Sequence, residues 1–366
     1  MRILIAGGGT GGHLYPGIAL ARELMRRDPA TLVSFVGTAH GIEARVVPRE
    51  GFQLDLIRVA GLKTKSWLER LRGVLLLPAA AIDAWRVVSK HHPDVVIGVG
   101  GFAAGPVVAI ASMRRYPTML LEQNALPGVT NRLLARFVRA AAVNFEAALP
   151  YFPRTGFVAG NPVRPEFFPA TDEEANDRFT TPRDAARVLI VGGSQGAHAL
   201  NVAMVAAASR LAAAGLRLAI THQTGERDLD LVRTAYQRAA VEARVEAFIF
   251  QVDREMKQAD VVIGRSGATT LAELAASGTP SILVPLPTSA DDHQRKNADV
   301  FARAGAAIVI EERELAAVLP ETLRALMADP ERLRRMSQAA RQLARPDAAQ
   351  RIADRVEQLA QAGHAR

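Results

Sequence analysis

Two glycine-rich runs hold the residues best suited to chemistry in this chain. Gly7-Gly8-Gly9-Thr10-Gly11-Gly12-His13 follows the apolar stretch Ile3-Leu4-Ile5-Ala6, and Gly192-Gly193-Ser194-Gln195-Gly196-Ala197-His198 follows Val188-Leu189-Ile190-Val191. A glycine loop between a strand and a helix turns backbone N–H groups and a positive helix end towards one point, which suits phosphate or pyrophosphate. His13 falls at an expected helix start, where the helix dipole lowers an imidazole pKa and favours the neutral ring. A neutral imidazole can deprotonate a hydroxyl nucleophile; capping the loop or binding phosphate is its plainer role. Ser194 is placed either to donate to a pyrophosphate or simply to cap the helix that follows.

Such loops need strands behind them and helices after them. Helical runs follow both, through Ile18, Leu20, Ala21 and Leu24 in the first case and Leu200, Val202, Met204 and Val205 in the second. A further echo keeps the same order: Asp94-Val95-Val96-Ile97-Gly98 returns as Asp260-Val261-Val262-Ile263-Gly264. Short β-branched runs bounded by glycine fit buried parallel strands. Their alternation with helical segments implies βαβ units with right-handed crossovers. The expected fold is α/β, with two Rossmann-like parallel-sheet domains facing a cleft and ligands at the carboxyl ends of the strands. Gly160-Asn161-Pro162-Val163-Arg164-Pro165 marks the junction, since two prolines so close stop regular structure. The expected domains are 1–162 and 163–339, with a C-terminal helix over about 340–366 packing back on the first. That tail reads as helical from Glu331 to Gln361, broken near Pro346.

Composition narrows the classes. The chain has no cysteine, which excludes disulfides and Cys-based zinc sites. Its first residues lack the apolar core of a signal peptide. The longest apolar stretch, from Gly73 to Ile82, contains Pro78 and stops at Asp83, short of the about 20 residues that span a bilayer. The net charge of +8 is unevenly placed: residues 1–160 hold 19 Lys and Arg against 10 Asp and Glu. The first half therefore calls for an anionic partner, nucleic acid or an acidic membrane surface. Aromatic residues make up only 5% and no nucleic-acid-binding module occurs, which disfavours nucleic acid. Residues 62–90 set Leu62, Trp67, Leu71, Leu75, Ile82 and Trp85 among Lys63, Lys65, Arg70, Arg72, Arg86 and Lys90. Apolar side chains ringed by basic ones, with both tryptophans of the chain, suit the interface of an anionic bilayer. A core helix with a solvated basic face is the alternative.

Gly7-x-Gly9-x-x-Gly12 satisfies the dinucleotide fingerprint, so a dehydrogenase is a rival. That activity needs an acid about 20 residues on, at the end of the second strand, to hold a ribose. Here the strand Leu32 to Val36 ends in Gly37-Thr38-Ala39, and the first acid beyond it, Glu43, lies too far along. Neither loop ends in Gly-Lys-Ser/Thr, so no Walker sequence is present. Two phosphate-competent domains fit transfer from a nucleotide-linked donor in one half to an acceptor in the other.

The run from Gly7 to Gly17, Gly-Gly-Gly-Thr-Gly-Gly-His-Leu-Tyr-Pro-Gly, resembles the opening of the MurG family of peptidoglycan glycosyltransferases. Further segments match in order: Gly98-Val99-Gly100-Gly101-Phe102, Glu122-Gln123-Asn124, Gly160 to Arg164, Gly192 to Ala197, Arg265-Ser266-Gly267-Ala268-Thr269-Thr270, Glu273, and Asp292-His293-Gln294 before Asn297-Ala298. The resemblance implies a GT-B enzyme that moves N-acetylglucosamine (GlcNAc) from UDP-GlcNAc, with inversion, to the muramyl 4-hydroxyl of lipid I (undecaprenyl-pyrophosphoryl-MurNAc-pentapeptide). The products would be lipid II and UDP. It also implies a peripheral place on the cytoplasmic face of the bacterial inner membrane, with cell-wall synthesis or division proteins as partners. No cofactor is implied. A GT-B transferase with a different lipid or natural-product acceptor is the rival, and the matches at Thr10 to Gly17 and Glu122 to Asn124 argue against it.

The same resemblance assigns roles. His13 is the general base, and Thr10, Gly11 and Gly12 face the donor sugar. Ser194 donates to the UDP pyrophosphate and Arg164 neutralises phosphate charge, an interdomain salt bridge being the other role open to Arg164. Glu273 accepts both ribose hydroxyls; taken alone it reads as a solvated helix face. The backbone over Ala268, Thr269, Thr270, Leu271 and Ala272 meets donor phosphates and sugar, and that of Ile249 reads uracil. Asn124 and Gln294 bond GlcNAc hydroxyls, with His293 standing where some relatives carry glutamine. No metal is indicated: Asp228-Leu229-Asp230, the one Asp-x-Asp, reads as solvated surface. The second glycine loop thus holds UDP, while the first, without a ribose-binding acid, becomes the acceptor-side catalytic loop.

Overall fold

Strand β1 (Arg2–Gly7) explains its own composition. Ile3 and Ile5 join one apolar cluster and Leu4 and Ala6 another, because successive side chains point to opposite faces of a sheet. A strand covered on both faces must be apolar throughout. The computed structural model describes residues 1–59, 76–171, 179, 184–193 and 196–364. The chain divides into two compact units, Met1–Val163 with Asp347–Arg366, and Arg164–Pro346.

In the first unit, β1 is followed by β2 (Leu32–Gly37), β3 (Gln53–Leu56), β4 (Val95–Gly100), β5 (Thr118–Glu122), β6 (Ala140–Val143) and β7 (Gly156–Val158). They form a parallel sheet in the order β3-β2-β1-β4-β5-β6-β7. The second unit has β8 (Ala186–Val191), β9 (Leu218–Gln223), β10 (Ala243–Glu246), β11 (Val261–Gly264), β12 (Ser281–Leu283) and β13 (Ala307–Val309). Its parallel sheet runs β10-β9-β8-β11-β12-β13. Each sheet is Rossmann-like, and in each the strand order reverses beside the strand that feeds a glycine loop, β1 or β8. Ligands of open α/β sheets bind at that switch point.

The C-terminal helix Ala348–His364 belongs to the first unit. Ile352, Ala353, Val356, Leu359 and Ala360 are buried in the same cluster as Leu14, Ile18 and Leu24 of the helix Gly11–Arg27. Arg27 pairs with Asp354 at 2.7 Å and Glu357 at 3.3 Å along that seam. The return to the first unit starts at Asp347, later than about 340. The preceding helix, Pro330–Leu343, stays in the second unit, where Leu333 and Met336 enter the core and the Ser337 hydroxyl donates to the Gly278 carbonyl at 2.7 Å.

Residues 60–75, with Trp67 and most of the basic residues of the 62–90 segment, lie outside the described residues. The helix Leu77–His91 buries Ala80, Ala84, Val87 and Val88, while Ile82 and Trp85 are exposed.

Candidate functional site

The first glycine loop turns sharply out of β1. Gly7, Gly8 and Gly9 take φ of 153°, 139° and 85°, values open to glycine. Thr10 is the N-cap of the helix Gly11–Arg27, yet its hydroxyl makes no cap bond; it lies 3.1 Å from Nδ1 of His13. The end of β4 closes over this loop. The Gly8 N–H donates to the Gly100 carbonyl at 3.3 Å. A Cβ on Gly101 would stand 2.3 Å from the Gly8 carbonyl oxygen, and one on Gly100 would stand 2.7 Å from Cδ2 of the His13 ring. Glycines are therefore required in the 98–102 motif to bring loop and ring against a second strand.

Asn124 follows β5 in the same unit. Its backbone N–H and its Nδ2 both donate to Glu122, at 2.9 and 3.2 Å, and the same buried carboxyl accepts from Gly128 N–H at 3.0 Å and Asn131 Nδ2 at 2.9 Å. Burial pushes Glu122 above the usual carboxylate range, against the pull of these donors. The Asn124 backbone and one of its amide hydrogens are thus held by the loop's own carboxyl.

In the second unit, Ser194 and Gln195 lie outside the described residues. The rest of that loop is braced from β9: Gln223 Nε2 donates to the Gly193 carbonyl at 2.9 Å, and its Oε1 accepts the Ile249 N–H at 2.9 Å. The Ile249 N–H is consequently occupied, which narrows the expected uracil reading to its carbonyl. Behind the loop lies a buried polar network. Asn201 Nδ2 donates to the Thr224 carbonyl at 3.0 Å and to Asp228 at 2.8 Å, so its oxygen must accept from His222 Nε2 at 3.0 Å. Burial pulls His222 down to about 3, so its ring is neutral and Nδ1 accepts from the Tyr236 hydroxyl at 2.9 Å. Asp228 also takes Nδ1 of the half-exposed His198 at 3.0 Å. Burial raises the Asp228 carboxyl, but the bonds from Asn201 and His198 outweigh it and hold the group below its ordinary value. Asp228 is therefore not solvated surface, contrary to the expectation for the Asp-x-Asp run; only Asp230, 94% exposed, fits it.

β11 leads into the helix Ala268–Ser277, capped by Gly267. Ala268, Thr269 and Leu271 are buried, Thr270 and Ala272 partly so. Glu273, on the next turn, is no solvated helix face. It keeps some surface, but desolvation pushes its carboxyl up to about 7, the nearby Arg164 pulling down and Asp253 pushing up. Arg164 caps the short 3₁₀ turn Pro165–Phe167, its guanidinium 5.1 Å from the Phe167 ring centroid. Ser266, ahead of the helix, donates its hydroxyl to the Gln294 carbonyl at 2.8 Å. The Gln294 side-chain oxygen accepts the Leu286 N–H at 3.0 Å, so that its amide nitrogen is the donor it can offer a ligand. His293 opens the helix His293–Arg303 directly before it. One constellation thus joins Arg164, the Ala268 turn, Glu273 and Gln294 in the second unit; in the first, Thr10, Gly11, Gly12 and His13 share the glycine loop and Asn124 follows β5.

Residues 3–143 match the glycosyltransferase family 28 N-terminal domain, and residues 187–352 the glycosyltransferase family 28 C-terminal domain. The chain is 49% identical over 356 residues to the UDP-N-acetylglucosamine–N-acetylmuramyl-(pentapeptide) pyrophosphoryl-undecaprenol N-acetylglucosamine transferase of Anaeromyxobacter dehalogenans, covering 97% of this chain and 92% of that one. It is 44% identical over 360 residues to the protein of the same name from Geobacter sulfurreducens, covering 97% of each. The crystal structure of Acinetobacter baumannii MurG matches with a TM-score of 0.77 at 29% identity, covering 98% of this chain and 99% of that one.

The Asn201 network sets a stability prediction. Asn201→Leu strips partners from Asp228, His222 and the Thr224 carbonyl, and should cost about 2–4 kcal/mol in urea unfolding. A change below about 0.5 kcal/mol would show that the network carries no such weight.

Proposed function

The chain belongs to the MurG family of N-acetylglucosamine transferases, and on that premise we propose that it moves GlcNAc from UDP-GlcNAc to the muramyl 4-hydroxyl of lipid I, giving lipid II and UDP. The observation that carries this reading is the unlike equipment of the two units. The first places an imidazole on a glycine loop, and the second places a desolvated carboxyl on the helix Ala268–Ser277 within charge range of a guanidinium.

In the first unit, Nε2 of His13 takes the proton of the acceptor hydroxyl. That requires the hydrogen of the ring to sit on Nδ1 and be donated to the Thr10 hydroxyl oxygen, a pairing the 3.1 Å separation permits. The freed oxygen attacks the anomeric carbon of GlcNAc as the bond from that carbon to the UDP oxygen breaks, which inverts the centre. The charge left on UDP falls to Arg164, Ser194 and the N-terminus of the second loop's helix. Glu273 accepts from the ribose hydroxyls and the Ile249 carbonyl from the uracil N–H. Gln294, through its amide nitrogen, and Asn124 serve the sugar hydroxyls.

The acceptor is lipid-linked, and the first unit offers a surface for a membrane. The helix Leu77–His91 packs on Ala104–Met113, which packs on Val129–Leu134. Ile82, Trp85, Met113, Leu133 and Phe137 are exposed there. Arg114 lies 4.4 Å from the Trp85 ring centroid and Arg136 4.8 Å from that of Phe137, with Arg86 and Lys90 in solvent nearby. Apolar rings held beside cations suit an anionic bilayer surface. Among the described residues no helix is long and apolar enough to cross a membrane. We read attachment through this face as peripheral, on the cytoplasmic side that the family resemblance implies.

Release of UDP from UDP-GlcNAc should depend on a lipid I analogue, and acceptor-independent release would overturn the assignment. His13→Ala should lower kcat by roughly 100-fold or more; a rise in KM with kcat nearly intact would remove the base. Ribose hydroxyls donate to ionised Glu273, so binding releases the proton that Glu273 holds below about pH 7. Affinity for UDP-GlcNAc, whose phosphodiester charges are constant in this range, should therefore rise roughly tenfold from pH 6 to pH 8, with Glu273→Gln flattening the profile in calorimetric titrations. Sedimentation with vesicles should strengthen with anionic lipid, weaken with salt, and drop on Trp85→Glu; indifference to all three would count against docking by this face.

A further inference from the structure

Glu43 is an acid that this mechanism leaves over. It opens the short helix Glu43–Arg49 and is 1% exposed. Too far along the chain to hold a ribose, it instead turns back onto the first glycine loop. Oε2 accepts the Gly9 N–H at 2.7 Å, and Oε1 accepts both the Thr38 N–H at 2.9 Å and the Thr38 hydroxyl at 2.8 Å. Three glycines make room for it. A Cβ would stand 2.4 Å from the carboxyl carbon if placed on Gly8, 2.4 Å from Cγ if on Gly37, and 2.0 Å from Oε2 if on Gly41. Real Cβ atoms do not approach so closely, so a side chain at any of the three would displace the carboxyl group. The brace on the second unit's loop is different in kind: the Gln223 amide supports Gly193 and brings no charge.

The Gly9 amide leads directly into the support of the base. Thr10 comes next in the chain; its carbonyl accepts the N–H groups of His13 and Leu14, both at 3.2 Å, and its hydroxyl faces the His13 ring. Fixing the Gly9 amide fixes the peptide that carries Thr10, while Gly100 confines the ring from the other side. A base must be held within about 0.5 Å of its working position, and an error of about 1 Å costs on the order of 100-fold in rate.

We propose that Glu43 is a positioning residue: an internal carboxylate that takes the Gly9 N–H which an anionic ligand would otherwise claim, and so sets Thr10 and the His13 ring for proton removal. It rests on the reading of His13 as the base.

A double-mutant cycle in the full-length enzyme, assayed with UDP-GlcNAc and a lipid I analogue, tests it. Glu43→Gln keeps length and shape but turns an amide N–H₂ towards N–H donors. It should lower kcat by roughly 10- to 100-fold with the KM for UDP-GlcNAc within about twofold of wild type. In the His13→Ala background the same substitution should cost less than about threefold, because its effect passes through the missing ring. Thr38→Val removes one of the three donors and keeps the carboxylate, so it covers the case in which Glu43→Gln does not fold. It should lower kcat several-fold, again only when His13 is present. Equal losses in both backgrounds would mean a merely structural acid and would overturn the proposal. Wild-type kcat in Glu43→Gln, with His13→Ala impaired, would overturn it and leave the base intact. Wild-type kcat in His13→Ala would remove the base reading and this proposal together.

Discussion

The close approach of two strand ends governs the first unit. β1 and β4 keep regular register up to Ala6, then slip, so that Gly7 lies opposite Gly100. That irregularity at the switch point throws the chain out of the sheet and starts the helix that carries His13. It is possible only because the facing positions have no side chains: a Cβ on Gly7 would stand 2.4 Å from the Gly100 carbonyl oxygen. The position of the imidazole is therefore a consequence of backbone meeting backbone, and the strands behind it must be apolar on both faces to hold that contact in place.

Buried acids divide into two kinds by what surrounds them. Glu43, Glu122 and Asp228 each accept several hydrogen bonds from neighbouring N–H or O–H groups, and each ties down a loop at the carboxyl end of a sheet. Their acceptor capacity is spent inside the protein. Glu273 is desolvated with only the longer-range charge of Arg164 to oppose it among the described residues, which is why its carboxyl rises to about 7. An acid in that state gains most from a ligand that brings its own donors, and a ribose does so. The contrast separates supporting carboxylates from the one proposed here for recognition.

The glycine loops illustrate how one local pattern serves two ends. Both leave the central strand of a parallel sheet and enter a helix. The second is braced by the Gln223 amide, with the Asn201 network behind it holding the Thr224 turn. The first has a carboxylate against its backbone.

Much of this was legible in the residues. The apolar runs bounded by glycine located β1, β4, β8 and β11, because a strand buried on both faces favours apolar residues throughout, and at the exits of β1, β4 and β8 the chain turns through glycines with positive φ. The prolines at 162 and 165 pointed to a junction for the same kind of local reason, and the two units divide between Val163 and Arg164; the motif residues carried the family resemblance. Tertiary structure alone decided what those residues touch. Glu43 lies 34 residues from the amide it holds. The Asp-x-Asp run reads as solvated surface along the chain, yet Asn201 and His198, from another helix, lie against Asp228. Prior bonds from Gln223 and Leu286 narrowed what Ile249 and Gln294 can offer. Sequence fixes backbone preference and burial pattern, which are local or periodic; hydrogen-bond partners and shifted pKa values arise when distant segments exclude water together, and no single segment encodes that.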